Sequence, residues 1–301
     1  MKANPASSDR QPAIRRTRLR RVAIAIFFLS GLLFAVAAWS VGGALVAPAK
    51  RSVGAPPDGL TATTIIGESG SETGAWYSDV EGATATILLL HPIRTDRRAM
   101  LGRAKLFHER GYSTLLIDLQ AHGESPGEAI TAGYRERVNV ISAIEWIKKR
   151  NPNHKIGVVG WSLGGAAALL AGQQEIDALV LELVYPTISE AVDNRIGKRL
   201  GPLKHVLTPI LLAQLRPRIG ISAADLRPID RISEMTCPVL VVCGEHDLHT
   251  TLNESKRLFA AAPEPKQFVV FEGSAHQDLL RHNPMKYSDT IALFLDQHLD
   301  E

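Results

Sequence analysis

Cysteine is scarce: two in 301 residues, Cys237 and Cys243, which excludes a scaffold held together by disulfides. Both lie in the run C-P-V-L-V-V-C, whose β-branched character reads as a buried strand. At ~3.3 Å per residue the six steps between them span roughly 20 Å, beyond the Cα separation that a disulfide permits, so buried thiols are expected. Acid is nearly missing from the N-terminus, where residues 1–51 hold nine bases and only Asp9. The remaining residues carry 25 bases against 30 acids, a net −5, so the overall charge of +3 belongs to the N-terminal tail. A body of that sign lacks the positive field a nucleic-acid partner requires. Internal repeats are lacking too, and 45% hydrophobic with 22% charged residues is the composition of a globular chain with a full-sized core.

Charge is also absent from Val22 to Ala47, 26 residues that make roughly 39 Å of helix at ~1.5 Å per residue, enough to cross a bilayer core of ~30 Å. A cleaved signal peptide is the alternative, with Ala47 and Ala49 in an A-x-A arrangement. A signal core is usually only ~7–15 residues, which favours a retained anchor. Arg20 and Arg21 run straight into the apolar segment without the rest of a twin-arginine signal. Seven bases precede the span and two, Lys50 and Arg51, follow it, so the tail 1–21 is expected in the cytoplasm and the body outside it. Residues 48–59, with several Pro and Gly, read as a linker.

From residue 60 to 301 apolar runs alternate with amphipathic stretches. Strands are expected at 61–66, 74–79, 84–90, 113–118, 155–160, 178–184, 238–243 and 267–271. Helices are expected at 97–110, 134–150, 163–173, 254–261 and 284–298. Continuous apolar strands such as T-I-L-L-L imply burial on both faces, hence an α/β fold with a mostly parallel sheet covered by helices. Residues 186–232 break this rhythm: they offer only apolar helical pieces such as 207–215, and read as an insertion over one end of the sheet.

The string I-G-V-V-G-W-S-L-G-G (156–165) places Ser162 in G-x-S-x-G between a buried strand and an Ala-rich helix. A serine at such a turn projects its hydroxyl from the sheet edge, and Gly160 and Gly164 remove side chains that would collide as strand and helix cross. The plainer alternative is a helix-capping serine. A hydroxyl needs a base, and the base an orienting acid. Asp247 follows the strand ending in Cys243, and His276 follows the strand ending at Phe271, each at the edge where open α/β sheets gather their sites.

With the order Ser162, Asp247, His276, the chain resembles the α/β-hydrolase superfamily, in its monoglyceride-lipase-like, serine-aminopeptidase-like and dienelactone-hydrolase-like branch. The resemblance runs from about Thr61 to the C-terminus. It rests on the elbow, on L-L-L-H ending at His91, on D-L-Q-A-H-G-E-S (118–125), on G-E-H-D (244–247) and on G-S-A-H (273–276). It implies an α/β-hydrolase fold with a helical cap, and it makes Ser162 the nucleophile, His276 the base and Asp247 the acid. The oxyanion hole would use the backbone N–H of Leu163 and, because Pro92 has none, that of Ile93. Glu182 is the alternative acid, as in some relatives. His91 and His122 match positions that brace loops. Arg94, Arg97 and Arg98 are a solvated helix start or a grip for an anionic substrate. His246, Asp247 and His249 form the densest set of metal-ligand types, which a loop beside a catalytic acid equally explains.

The expected protein is a membrane-anchored serine hydrolase facing away from the cytoplasm, cleaving a small-molecule acyl ester with no cofactor. A peptidase or amidase of the same fold and a non-catalytic binding module are the alternatives. Leu207, Ile210, Leu211, Leu212 and Leu215 are too many for one small core, so some are expected to line an acyl pocket.

Overall fold

The computed structural model describes residues 10–68 and 70–300. They divide into two compact units, one ending at Leu45 and one beginning at Val46. The first is a helix, α1 (Arg10–Val46), longer than the expected span because the helix continues back through the basic tail to Arg10. Residues 1–9 of that tail lie outside the described residues. Its segment Arg18–Val46 is long and apolar enough to cross a membrane by length and composition, and no part of its apolar window is buried.

The second unit is built on eight strands: β1 (Thr61–Ile66), β2 (Glu72–Ser78), β3 (Ala85–Leu90), β4 (Ser113–Ile117), β5 (Lys155–Trp161), β6 (Ala178–Glu182), β7 (Val239–Gly244) and β8 (Lys266–Phe271). Each matches an expected strand to within a few residues. Their order in the sheet is β1-β2-β4-β3-β5-β6-β7-β8. Strand β2 runs antiparallel to β1 and β4, and all other pairs are parallel. Strands β3, β4, β6 and β7 are buried along their whole length and β5 everywhere but its two end residues, because successive side chains enter opposite apolar layers. Leu88 and Leu90 join α3 (Glu136–Arg150), α4 (Leu163–Leu170) and α9 (Leu252–Ala261) on one face. Ile87 and Leu89 join α2 (Leu101–Glu109) and the C-terminal helices α10 (Leu279–His282), α11 (Pro284–Tyr287) and α12 (Leu293–Leu299) on the other. The helix expected at 284–298 runs without interruption from Pro284 to Leu299 and contains a π-turn at Ser288–Ala292.

The insertion between β6 and β7 contains α5 (Ile188–Leu200), α6 (Lys204–Leu212), α7 (Leu215–Ile219) and α8 (Ile229–Ile232), with no strand among them. Residues 48–59 are not the free linker the composition suggested. The Ala49 N–H donates to Ala121 O at 2.7 Å, Arg51 N–H to Gly123 O at 2.9 Å and Val53 N–H to Glu124 Oε1 at 3.1 Å. Pro and Gly shape this strap, but its backbone donors are met by the loop after β4, and Val53 is buried.

Candidate active site

Ser162 stands between the last residue of β5 and the first of α4 with φ 52° and ψ −108°, a left-handed backbone that a non-glycine residue adopts at a cost of order 1–3 kcal/mol. It makes no side-chain capping bond, so the helix-cap reading fails. Its N–H donates to Glu182 O on β6 at 2.8 Å, which pins the turn to the sheet. The crossing is possible only without side chains: a Cβ on Gly160 would stand 2.4 Å from Gly165 Cα, and one on Gly164 would stand 2.4 Å from Leu90 O.

Asp247 and His276 come together on the neighbouring strand ends. His276 Nδ1 lies 2.7 Å from Asp247 Oδ2, while Asp247 Oδ1 accepts the N–H groups of His249 and Thr250 at 2.7 and 3.0 Å. Three donors thus hold one buried carboxylate, and the Nδ1–H tautomer this demands leaves Nε2 of His276 with its lone pair free to accept a proton. The two loops also hold each other. His246 N–H donates to Ser274 O at 2.8 Å, and Gly244 approaches the loop so closely that a Cβ there would meet Ser274 O at 2.6 Å. Among the described residues no hydrogen bond joins Ser162 Oγ to His276.

The two expected oxyanion donors are placed by helix and loop. Leu163 is the first residue of α4, whose first-turn N–H groups have no intrahelical acceptor. Ile93 follows β3, and the orientation of its N–H is set through the other side of the same peptide. Pro92 O accepts from Thr95 Oγ1 at 2.7 Å and from His91 Nδ1 at 2.8 Å. Because Leu119 N–H donates to His91 Nε2 at 3.0 Å, the His91 proton must sit on Nδ1, and the ring is neutral. Full burial, with His122 beside it, pushes the His91 imidazole down to about 3.

A family model for X-Pro dipeptidyl-peptidase (S15 family) matches residues 62–195. The chain is 25% identical to uncharacterized protein YqkD of Bacillus subtilis over 246 residues, 80% of each chain. It is 24% identical to lysophosphatidylserine lipase ABHD12 of Macaca fascicularis over 242 residues, 74% of this chain and 58% of the lipase. Among solved structures, the Pyrococcus furiosus esterase Pf2001 superposes with a TM-score of 0.70 at 19% identity, over 84% of this chain and 100% of the esterase. The chain has the α/β-hydrolase fold.

Within this fold the other sequence candidates have structural partners. Glu182 is fully buried, with Oε1 and Oε2 held by Arg103 at 3.0 and 2.5 Å and Oε1 also accepting from Tyr287 at 2.6 Å, so its carboxylate is committed away from His276. Arg97 is no solvated helix start: it is buried and donates to Asp118 at 2.6 Å and to Glu124. Arg98 pairs with Asp96 at 2.8 Å. His249 stacks on His276 with ring centroids 5.2 Å apart. Burial, aided by nearby Arg195, His276 and Lys198, pushes its imidazole down to about 4.

Arg103 was missed from the sequence. Fully buried, it binds Glu182, reaches Asp278 Oδ1 at 3.1 Å and lies over the rings of Trp161 and Tyr287. One guanidinium thereby touches the residue before Ser162, the strand that receives the Ser162 N–H and the N-cap two residues past His276. The available signal was a charge within an apolar helical stripe, at 100, 103, 104 and 107.

Proposed function

We propose that the protein is a serine hydrolase that cleaves carboxylic esters through an acyl-enzyme, with Ser162 as nucleophile, His276 as base and Asp247 as acid. The observation that carries this is the His276–Asp247 bond of 2.7 Å, beside a serine held in a strained strand-to-helix turn. His276 Nε2 takes the proton from Ser162 Oγ as the oxygen attacks the ester carbonyl, and Asp247 stabilises the imidazolium. The N–H groups of Leu163 and Ile93 receive the oxyanion, helped by the positive end of α4. The imidazolium then protonates the departing alcohol, and water enters by the same steps in reverse to release the acid.

Fluorophosphonate labelling tests the nucleophile. The wild type is expected to label, and Ser162→Ala to lose labelling and turnover by ~10⁴-fold while remaining folded. A folded wild type that fails to label is instead a binding module. The peptidase reading has the family match behind it, so esters and amino-acyl anilides are assayed together, and faster anilide cleavage would favour that reading.

The apolar segment of α1 anchors the chain with the body outside the cytoplasm, on the positive-inside argument. A reporter active only outside the cytoplasm, fused to the C-terminus, tests this, and a mature chain starting near Lys50 would mark a cleaved signal instead. Some of the half-buried Leu207, Ile210, Leu211, Leu212 and Leu215 line an acyl pocket worth ~0.8 kcal/mol for each CH₂ taken up. A chain-length series of p-nitrophenyl esters should peak at intermediate length, and a steady fall from acetyl upward would remove the pocket.

A further inference from the structure

The insertion carries an apolar ridge that nothing in the domain covers. Leu200, Leu203 and Val206, three residues apart across the α5–α6 corner, are 50%, 56% and 57% exposed. Charge is segregated around them. Residues 194–224 hold six bases, Arg195, Lys198, Arg199, Lys204, Arg216 and Arg218, between the flanking acids Asp193 and Asp225, and Lys204 pairs with Asp193 at 2.8 Å. The insertion 186–232 has eight bases and four acids, whereas the rest of 52–301 has 17 bases and 26 acids. An apolar ridge flanked by bases on an otherwise acidic body has the chemistry of an interfacial segment on anionic lipid.

Two further observations say where such a surface would lie. Val46, the last residue of α1, packs with Leu215, Ile219, Ile221 and Leu226 at the foot of the insertion, and its carbonyl accepts from Ile130 N–H at 2.8 Å. Val46 is the first residue of the second unit, so the foot of the insertion includes the residue that is bonded to the end of the apolar segment. The other end reaches the site: Asn194 Nδ2 donates to His249 O at 3.3 Å and to the Glu254 carboxylate at 2.8 Å, and Lys198 Nζ lies 3.3 Å from His249 Nε2. His249 is the ring stacked on His276.

We propose that the ridge Leu200, Leu203 and Val206 docks on the surface of an anionic bilayer, so that the mouth of the site faces lipid. This rests on the anchored-hydrolase reading above. A second copy of the chain fits the ridge less well, since a two-fold contact would set the same six bases against themselves.

The test uses the full chain in phosphatidylcholine vesicles with and without about one third phosphatidylglycerol. An environment-sensitive fluorophore is attached by Val206→Cys, and by Phe28→Cys and Lys149→Cys as references; Cys237 and Cys243 are buried and leave the label selective. Spin-labelled lipid should quench the probe at 206 but not at 149, and quenching at 206 should fall several-fold without the anionic lipid. A probe at 206 that stays unquenched while that at 28 is quenched overturns the docking and leaves the anchor standing. If 28 is unquenched the anchor fails, and 206 still decides the docking by its own signal. A shift to an apolar environment at 206 without lipid quenching means a protein contact, which also overturns it. In activity, Leu203→Asp with Val206→Asp should lower kcat/KM on a vesicle-embedded ester by roughly tenfold and leave a soluble p-nitrophenyl ester within about twofold. Equal loss on both substrates overturns the proposal.

Discussion

His91 shows how one side chain sets a backbone donor at a distance. It holds Pro92 O and receives Leu119 N–H, so its neutral form is built into the fold. Its imidazole is pushed down to about 3 when folded and returns to an ordinary 6.5 when unfolded. The unfolded chain therefore binds the extra proton between those values, and stability present above pH 6.5 drains away as pH falls through the window. At ~1.4 kcal/mol per unit this is several kcal/mol by the low end. Urea unfolding at a series of pH values should show the loss, and His91→Gln should flatten it; an unchanged slope would remove His91 from the account. Arg103 is the second such residue. Deleting its charge strands Glu182 and Asp278, so Arg103→Met should cost ~3–5 kcal/mol, whereas Arg103→Met with Glu182→Leu should recover much of that. Additive losses in that pair would mean that the two side chains do not act together. For the acid, Asp247→Asn should lower kcat by about 10⁴-fold with the fold intact. The same damage from Glu182→Gln at full stability would reverse the assignment.

At the scale of elements, the decisive contact is the crossing of β5, β3 and α4. Helix α4 is Ala- and Gly-rich because it must lie against Leu90 and Val184, where a single methyl is too much. Gly164→Ala should lower stability by ~3 kcal/mol or more and abolish fluorophosphonate labelling, since the neighbour it meets is backbone and cannot yield. Gly111→Ala, at positive φ but with open space around it, should cost only ~1 kcal/mol and leave labelling unchanged. A Gly164→Ala variant that keeps its stability and its labelling would show that α4 can shift away from Leu90 to make room. The strands were legible because their apolar runs are long, and the elbow because its glycines flank the serine in sequence. The π-turn at Ser288–Ala292 inside the C-terminal helix was not legible, since Pro284 to His298 keeps helical periodicity throughout.

For the whole molecule, the boundary that matters lies at Val46, because the strap from Val46 to Val53 belongs to the catalytic unit. Removing residues 1–45 should leave the domain folded and active. Removing 1–53 deletes four backbone hydrogen bonds and the buried Val53, and should lower Tm by roughly 5–10 °C; equal Tm for the two truncations would show the strap to be passive. The sequence by itself determined the strand order along the chain, the insertion, the long apolar N-terminal segment and the three residues proposed for the chemistry, because periodicity, charge-free length and short motifs are local. Only the tertiary structure decided which carboxylate meets His276, that Arg97 and Arg103 are interior ion pairs, and that residues 48–59 are a strap. Each of those depends on partners far apart in sequence: Arg103 and Glu182 are separated by 79 positions, Val53 and Glu124 by 71. Nothing in a residue's own neighbourhood says which distant group will satisfy its charge or its hydrogen bond once both are taken from water.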